Sequence, residues 1–306
     1  MKVFSKALVF SIACALSACG SQTEAPYKAQ ESSYFLSLDQ VIDIDGIKVR
    51  YRDEGPRDGQ PLILVHGFTS SLETWDPLAY DLQSDYRVIR LDLPGHGLTG
   101  PDPEARYTNE ETVDFLADFI ETVGVEKPVL VGNSLGGLAS WRLAVRSPEL
   151  VSKLVLIAPG GFSINGVGDD PVAVPMMVKL YLTKAPQAGV KQATSALFSD
   201  PTKLSEDRLK EVRDMMLVPG NGDAFVARAA SFTLPDPTQD LESIGAPSLL
   251  IWGQGDIMVP VAHAEKFAKA MPNAQLKIYA DTGHVLQEES PKKLASDIRK
   301  FLTEQE

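Results

Sequence analysis

Val129-Leu130-Val131-Gly132-Asn133-Ser134-Leu135-Gly136-Gly137 is the stretch on which the fold turns. A short apolar run with strand character passes through Gly-x-Ser-x-Gly directly into a helical pattern over 135–146. A junction that sharp leaves no room for side chains two positions before or after the serine, hence Gly132 and Gly136. The serine itself is forced into a strained backbone conformation that lifts its hydroxyl above the sheet. The helix behind it aims free N–H groups at any negative charge that develops there, with Leu135 the first donor. In this setting Ser134 reads as a nucleophile rather than as a serine in an incidental glycine-rich loop.

A serine hydroxyl needs a base, and the base needs an orienting carboxylate. The chain holds four histidines. His66 and His96 fall in glycine-rich loops after early strands, and His263 lies on a helical pattern beyond Pro260, where solvent exposure is expected. His284, in Asp281-Thr282-Gly283-His284 after the last strand, sits where the sheet's C-terminal edge brings it toward Ser134. The acid is expected one strand earlier, and Asp256 follows Leu249-Leu250-Ile251-Trp252-Gly253 on a glycine-bearing loop. Asp281 is the rival, but it shares the base's own loop instead of facing it.

Around this centre, apolar runs at 61–65, 87–91, 129–131, 154–157, 248–252 and 275–279 alternate with helical patterns at 109–123, 135–146, 261–270 and 291–302. Continuous Val/Ile/Leu strands alternating with helices imply a parallel sheet buried on both faces. Two further strands, near 34–44 and 47–52, read as an antiparallel lead-in turning at Asp45-Gly46. Between 161 and 240 no strand is evident, only helical segments near 172–182, 188–198, 205–217 and 224–232. That is too long for a connection and is expected to be a helical cap over the sheet's C-terminal edge. Met176, Met177, Leu180 and Tyr181, with Met215, Met216 and Leu217, recur at helical spacing. They fit an adaptable apolar pocket or the cap's own core equally well.

The chain has 306 residues and a net charge of −12, with no basic run dense enough to attract phosphate backbones, so nucleic acid is not an expected partner. The N-terminus has a basic start, an apolar run over 7–15 and Leu16-Ser17-Ala18-Cys19-Gly20. That is the form of a secretory signal, and its end resembles the lipobox of bacterial lipoproteins. The resemblance implies removal of residues 1–18, lipid on Cys19 and a flexible tether over 19–34. Gly20, where Asp resembles an inner-membrane retention signal, implies an outer-membrane position facing the periplasm.

The ordered set His66-Gly67, Asp92-Leu93-Pro94-Gly95-His96-Gly97, Gly132–Gly136, Gly253–Asp256 and Gly283-His284 resembles the α/β-hydrolase superfamily. The likeness spans about residues 35 to 306. It implies a mostly parallel eight-stranded sheet flanked by helices, with core segments 35–160 and 241–306 and a cap at 161–240 between strands 6 and 7. The chain order Ser134, Asp256, His284 is that superfamily's order. His66-Gly67-Phe68 resembles its oxyanion segment, which implies the Phe68 N–H as a second donor beside Leu135. No metal or organic cofactor is implied, and no obligate protein partner is evident. Elbow, cap and signal together point to an esterase acting on small-molecule esters. The elbow also resembles that of C–C hydrolases, but Phe68-Thr69-Ser70 and Val285 stand where those carry Gly-Pro-Gly and Trp. Acyl transfer or perhydrolysis on the same triad stays open, and a non-catalytic binding module is disfavoured by the intact triad.

Overall fold

The computed structural model describes residues 29–304. The signal sequence, Cys19 and most of the expected tether lie outside them.

The hairpin β1 (Gln40–Ile44) and β2 (Ile47–Glu54) turns through Asp45 and Gly46, both at positive φ, 48° and 84°. There follow β3 (Pro61–Val65), α1 (Asp76–Leu82), β4 (Arg87–Leu91), α2 (Asn109–Val123), β5 (Val129–Asn133), α3 (Leu135–Arg146) and β6 (Lys153–Ile157). Five helices come next: α4 (Met176–Lys184), α5 (Gln187–Ser195), α6 (Glu206–Met216), α7 (Asn221–Ser231) and α8 (Thr238–Glu242). The chain then completes β7 (Ser248–Gly253), α9 (Ala262–Ala270), β8 (Ala274–Tyr279), α10 (Leu286–Glu289) and α11 (Pro291–Thr303). The sheet order is β1-β2-β4-β3-β5-β6-β7-β8, antiparallel at β1–β2 and β2–β4 and parallel elsewhere. This is the α/β-hydrolase fold expected from the sequence.

The continuous apolar strands bury both faces because successive side chains alternate. Ile63 and Val65 join a core with Phe119, Leu138 and Trp141 of α2 and α3, while Leu62 and Leu64 join another with Trp75, Leu78 and Phe301. Helix α2 begins and ends where the sequence predicts because both ends are capped. Thr108 and Glu111 form a reciprocal capping box, and Gly124 closes the helix at φ 69°. Helix α4 starts later than expected, at Met176, because Pro175 at its N-cap holds an extended conformation. No helix among the described residues is long and apolar enough to cross a membrane.

Two expectations near the N-terminus need correction. The lead-in strand begins at Gln40 rather than near Tyr34, since the Leu36 N–H donates to the Asp39 carboxylate in a turn. The folded body also begins earlier than expected. Ala29–Glu31 form a short 3-10 turn, and Ala29 is buried with Leu98, Met215 and Val218. Tyr34 and Phe35 pack beside them, and the Tyr34 hydroxyl donates to Asp214 at 2.6 Å. Residues 29–34 therefore belong to the folded body.

Arg50 is fully buried on β2 and binds Asp39 at 2.7 Å, Glu73 at 2.5 Å and Asp92 at 3.3 Å. Asp92 in turn accepts the Leu72 and Leu98 N–H groups, so one guanidinium ties down the loops after β3 and β4. Removing one partner of a buried ion network strands the others without solvent or counter-charge. Arg50→Ala is expected to destabilise the fold by about 3–5 kcal/mol in urea unfolding. A loss below about 1 kcal/mol, the range of an exposed pair, would contradict this reading.

Candidate active site

Ser134 occupies the single position between β5 and α3, at φ 54° and ψ −114°. Its N–H donates to Ile157 O at 3.1 Å, and its carbonyl accepts from Leu138 N at 2.9 Å and Gly160 N at 3.0 Å. Close packing explains the glycines. A Cβ at Gly132 would lie 2.5 Å from Gly136 O, and one at Gly136 only 2.0 Å from Val65 O. Gly67 abuts the serine from the other side, where an added Cβ would lie 3.2 Å from Ser134 Cβ. The loop after β3 and the turn after β5 thus press directly on one another.

His284 Nδ1 lies 2.8 Å from Asp256 Oδ2, with both side chains buried. The other Asp256 oxygen accepts the N–H groups of Met258 at 2.8 Å and Val259 at 2.9 Å, which fixes the carboxylate's orientation. A carboxylate accepts, so Nδ1 carries the proton and Nε2 is left as the acceptor. Asp281, the rival acid, is exposed at φ 54° and is bonded to no ring nitrogen of His284.

The link between serine and histidine runs through a residue the sequence reading left without a role. Asn133, immediately before Ser134, donates from Nδ2 to His284 O and to Ile157 O, each at 3.1 Å. Its Oδ1 accepts from Gln287 Nε2, which also donates to Thr74 Oγ1 at 3.0 Å. The His284 loop is gripped from the cap side as well. His284 N donates to Leu197 O at 2.7 Å, and buried Glu289 accepts Gly283 N, Ser199 N and Asp200 N. Asn133 was within reach of sequence reasoning as the residue inside the Gly-x-Ser-x-Gly turn. Gln287 and Glu289 were not, since nothing in the sequence marks a helix after the histidine as a clamp.

Phe68 stands beside Gly67 with its ring edge-to-face on His96 and on Phe225 of α7, at 6.1 Å and 5.6 Å. Its N–H donates to no described residue, and that of Leu135, first in α3, has no intrahelical acceptor. The two N–H groups flank Ser134 along the chain and through the Gly67 contact. Arg228 of α7 clamps the cap onto the core, donating to Pro94 O, Tyr107 O and Thr112 Oγ1.

Among the described residues none of the other three histidines is hydrogen-bonded to Ser134 or Asp256. His66 Nδ1 meets Gly67 O at 2.8 Å, while its Nε2 accepts from Leu93 N at 3.0 Å. His263, expected in solvent, is instead buried, because Phe162, a hundred residues earlier in the chain, packs edge-on against its ring at 5.7 Å. The methionines also part company. Met216 lies in the cap's own core and Met215 against Ala29, whereas Met176 and Met177 stand out in solvent. A cavity of about 200 Å³ lies elsewhere, along Val113, Trp141 and Val145 between α2 and α3, and its lining includes neither Ser134, Asp256, His284 nor Phe68. Among the described residues no group of three or more His, Cys, Asp or Glu is placed to hold a metal ion.

Comparison with known proteins agrees with the architecture. Residues 60–291 match the family model described as alpha/beta hydrolase fold. The dihydrolipoyllysine-residue acetyltransferase component of an acetoin cleaving system from Cupriavidus necator is 31% identical over 86% of this chain and 68% of its own. A 2-hydroxy-6-oxo-6-(2'-aminophenyl)hexa-2,4-dienoic acid hydrolase from Metapseudomonas resinovorans is 27% identical over 92% of this chain and 96% of its own. Among solved structures, a serine hydrolase of carbazole degradation superposes with a TM-score of 0.77 at 25% identity, covering 87% of this chain and 99% of its own.

Burial sets an acid limit on this site. It pushes the buried His66 imidazole down to about 4 from an ordinary 6.5, and His96 well below its ordinary value. The unfolded chain therefore takes up protons first as pH falls. This contribution is complete above about 6.5 and is lost as pH falls toward 4, with His66 alone worth about 3 kcal/mol. The urea midpoint is expected to drop across that window, and His66→Gln should flatten part of the slope. A midpoint constant from pH 6.5 to 4 would contradict it.

Proposed function

The chain belongs to the α/β-hydrolase family, and from that premise we propose that it is a serine esterase working through an acyl-enzyme on Ser134. The observation that carries the reading is the Asp256–His284 pair at 2.8 Å, joined through Asn133 to the strained turn that bears Ser134. In the proposed cycle His284 Nε2 takes the Ser134 hydroxyl proton while Oγ attacks the ester carbonyl. The tetrahedral oxyanion is received by the Phe68 and Leu135 N–H groups. Collapse expels the alcohol, protonated by His284, and leaves an acyl-serine. A water activated by the same Nε2 then releases the acid and restores the serine. Asp256 holds the tautomer and stabilises the transient imidazolium.

Carbon–carbon bond hydrolysis is the second reading, favoured by the relative from Metapseudomonas resinovorans. Phe68-Thr69-Ser70 and Val285 weigh against it, as they depart from the pattern of those enzymes. Acyl transfer would use the same acyl-enzyme with an acceptor other than water.

We further propose, from the sequence alone, that Cys19 is lipidated and that the enzyme faces the periplasm from the outer membrane. The support is Leu16-Ser17-Ala18-Cys19 followed by Gly20.

Ser134→Ala is expected to lower turnover of short chromogenic esters by about 10⁴-fold or more with the unfolding midpoint unchanged. A panel of esters of graded acyl length, run beside the dienoic acid named for that relative, separates the two readings. Faster turnover of the dienoic acid would overturn the esterase reading. In cells fed a clickable palmitate, the wild-type chain should take up label and Cys19→Ser should not. Equal labelling of both would defeat the lipid assignment.

A further inference from the structure

Helix α4 is exposed over most of its surface: of its nine residues only Leu182 is buried. Met176 is 76% exposed and Met177 73%, and Val172, Val178 and Leu180 are exposed beside them. Scattered apolar residues on a surface need no explanation, but a contiguous group along one segment does. The helix lies on the outer side of the cap. Its inner face packs on α7, where an added Cβ at Gly222 would lie 2.7 Å from Thr183 Cα, and α7 presses Phe225 onto Phe68. The exposed methionines thus crown the layer that covers the proposed oxyanion loop.

The charge around this edge differs from that of the chain as a whole. Against a net charge of −12, residues 171–198 contain Lys179, Lys184 and Lys191 and no acidic residue, the nearest acids being Asp169, Asp170 and Asp200. Lys191 is paired with Glu206 at 2.8 Å, while Lys179 and Lys184 are exposed and have no carboxylate partner among the described residues. The chain entering the fold arrives on the cap as well, since Ala29 is packed against Met215 and Val218 near the end of α6. From Cys19 to Ala29 the chain can span at most about 36 Å at full extension.

We propose that the α4 edge of the cap docks on an anionic lipid bilayer, with Met176 and Met177 entering the headgroup region and Lys179 and Lys184 meeting lipid phosphates. The proposal rests on the lipid-anchor reading of Cys19 and makes the substrate class acyl esters presented at that bilayer. At a bilayer surface the burial of exposed apolar side chains and the attraction of lysines to anionic headgroups add. A second copy of the chain is the poorer occupant. Pairing two α4 edges would bring like-charged lysines together, whereas anionic headgroups complement them.

The test uses the full chain carrying Met177→Cys, or Glu126→Cys before β5 as a control, each labelled with a polarity-sensitive fluorophore. Both are reconstituted in vesicles of phosphatidylcholine with and without phosphatidylglycerol, and mass spectrometry of the N-terminal peptide reads the lipid on Cys19. Docking predicts a blue shift and quenching by a bilayer-embedded quencher at 177 but not at 126, stronger with phosphatidylglycerol. It also predicts that Met176→Ser with Met177→Ser slows hydrolysis of a vesicle-borne ester about tenfold while a soluble ester stays within about twofold. A label at 177 that stays as wet as the one at 126, on a chain proven to carry lipid, overturns docking and leaves the anchor standing. A chain without lipid defeats the anchor alone; with Cys14→Ser and Cys19→Ser made before labelling and the protein added to the same vesicles, it reads docking by the same two outcomes. A blue shift that grows with protein concentration in the absence of vesicles means a second copy covers the edge, and overturns the proposal.

Discussion

Ser134 is held at φ 54° and ψ −114°, a conformation a side-chain-bearing residue adopts only when its surroundings leave no other. Strain of this kind costs about 1–3 kcal/mol and must be offset elsewhere. The offset is visible in the packing: the backbone of α3 touches Val65 O through Gly136, and Gly67 touches the serine. Alanine in place of Gly136 would drive a methyl group into the Val65 backbone, while at Gly67 it would press on the Ser134 and Asn133 side chains. The parallel pairing of β3 with β5, in register from Leu62–Val129 to Val65–Gly132, brings the serine turn and the loop with Phe68 side by side. Sheet, serine turn and the proposed oxyanion loop are therefore one geometric object.

The histidine reaches this object by a different route. Its loop is not held by the sheet alone but lies between Asn133 on one side and the cap segment 197–200 on the other. Glu289 accepts three backbone N–H groups, one from the histidine loop and two from the cap. Bonds of this kind, from N–H to a buried carboxylate, are stronger than neutral ones. The position of the proposed base is consequently tied to the seating of the cap. Changes that loosen the cap are expected to act on chemistry as well as on substrate entry.

What the sequence reveals follows from the range of the interactions involved. The elbow at Ser134, the limits of α2 and the hairpin at Asp45-Gly46 are set by neighbours in the chain, and each leaves a local signature. Asp256 and His284 are legible because strand order confines them to adjacent loop ends. Contacts distant in sequence leave no such mark. The burial of His263, the folding of residues 29–34 onto Met215, and the roles of Gln287 and Glu289 all depend on partners far along the chain. The methionines of the cap show the same limit, since helical spacing places Met176 and Met216 on faces without saying what those faces meet. Met216 meets a core and Met176 meets solvent.

Acyl transfer through the Ser134 oxygen is open to rapid acid quench during turnover of a slow ester, followed by intact-mass measurement and peptide mapping. One acyl group per chain is expected, carried on the peptide containing Ser134 and absent after the ester is exhausted. An acyl group mapped to another residue, or steady turnover with no covalent species at any quench time, would contradict it.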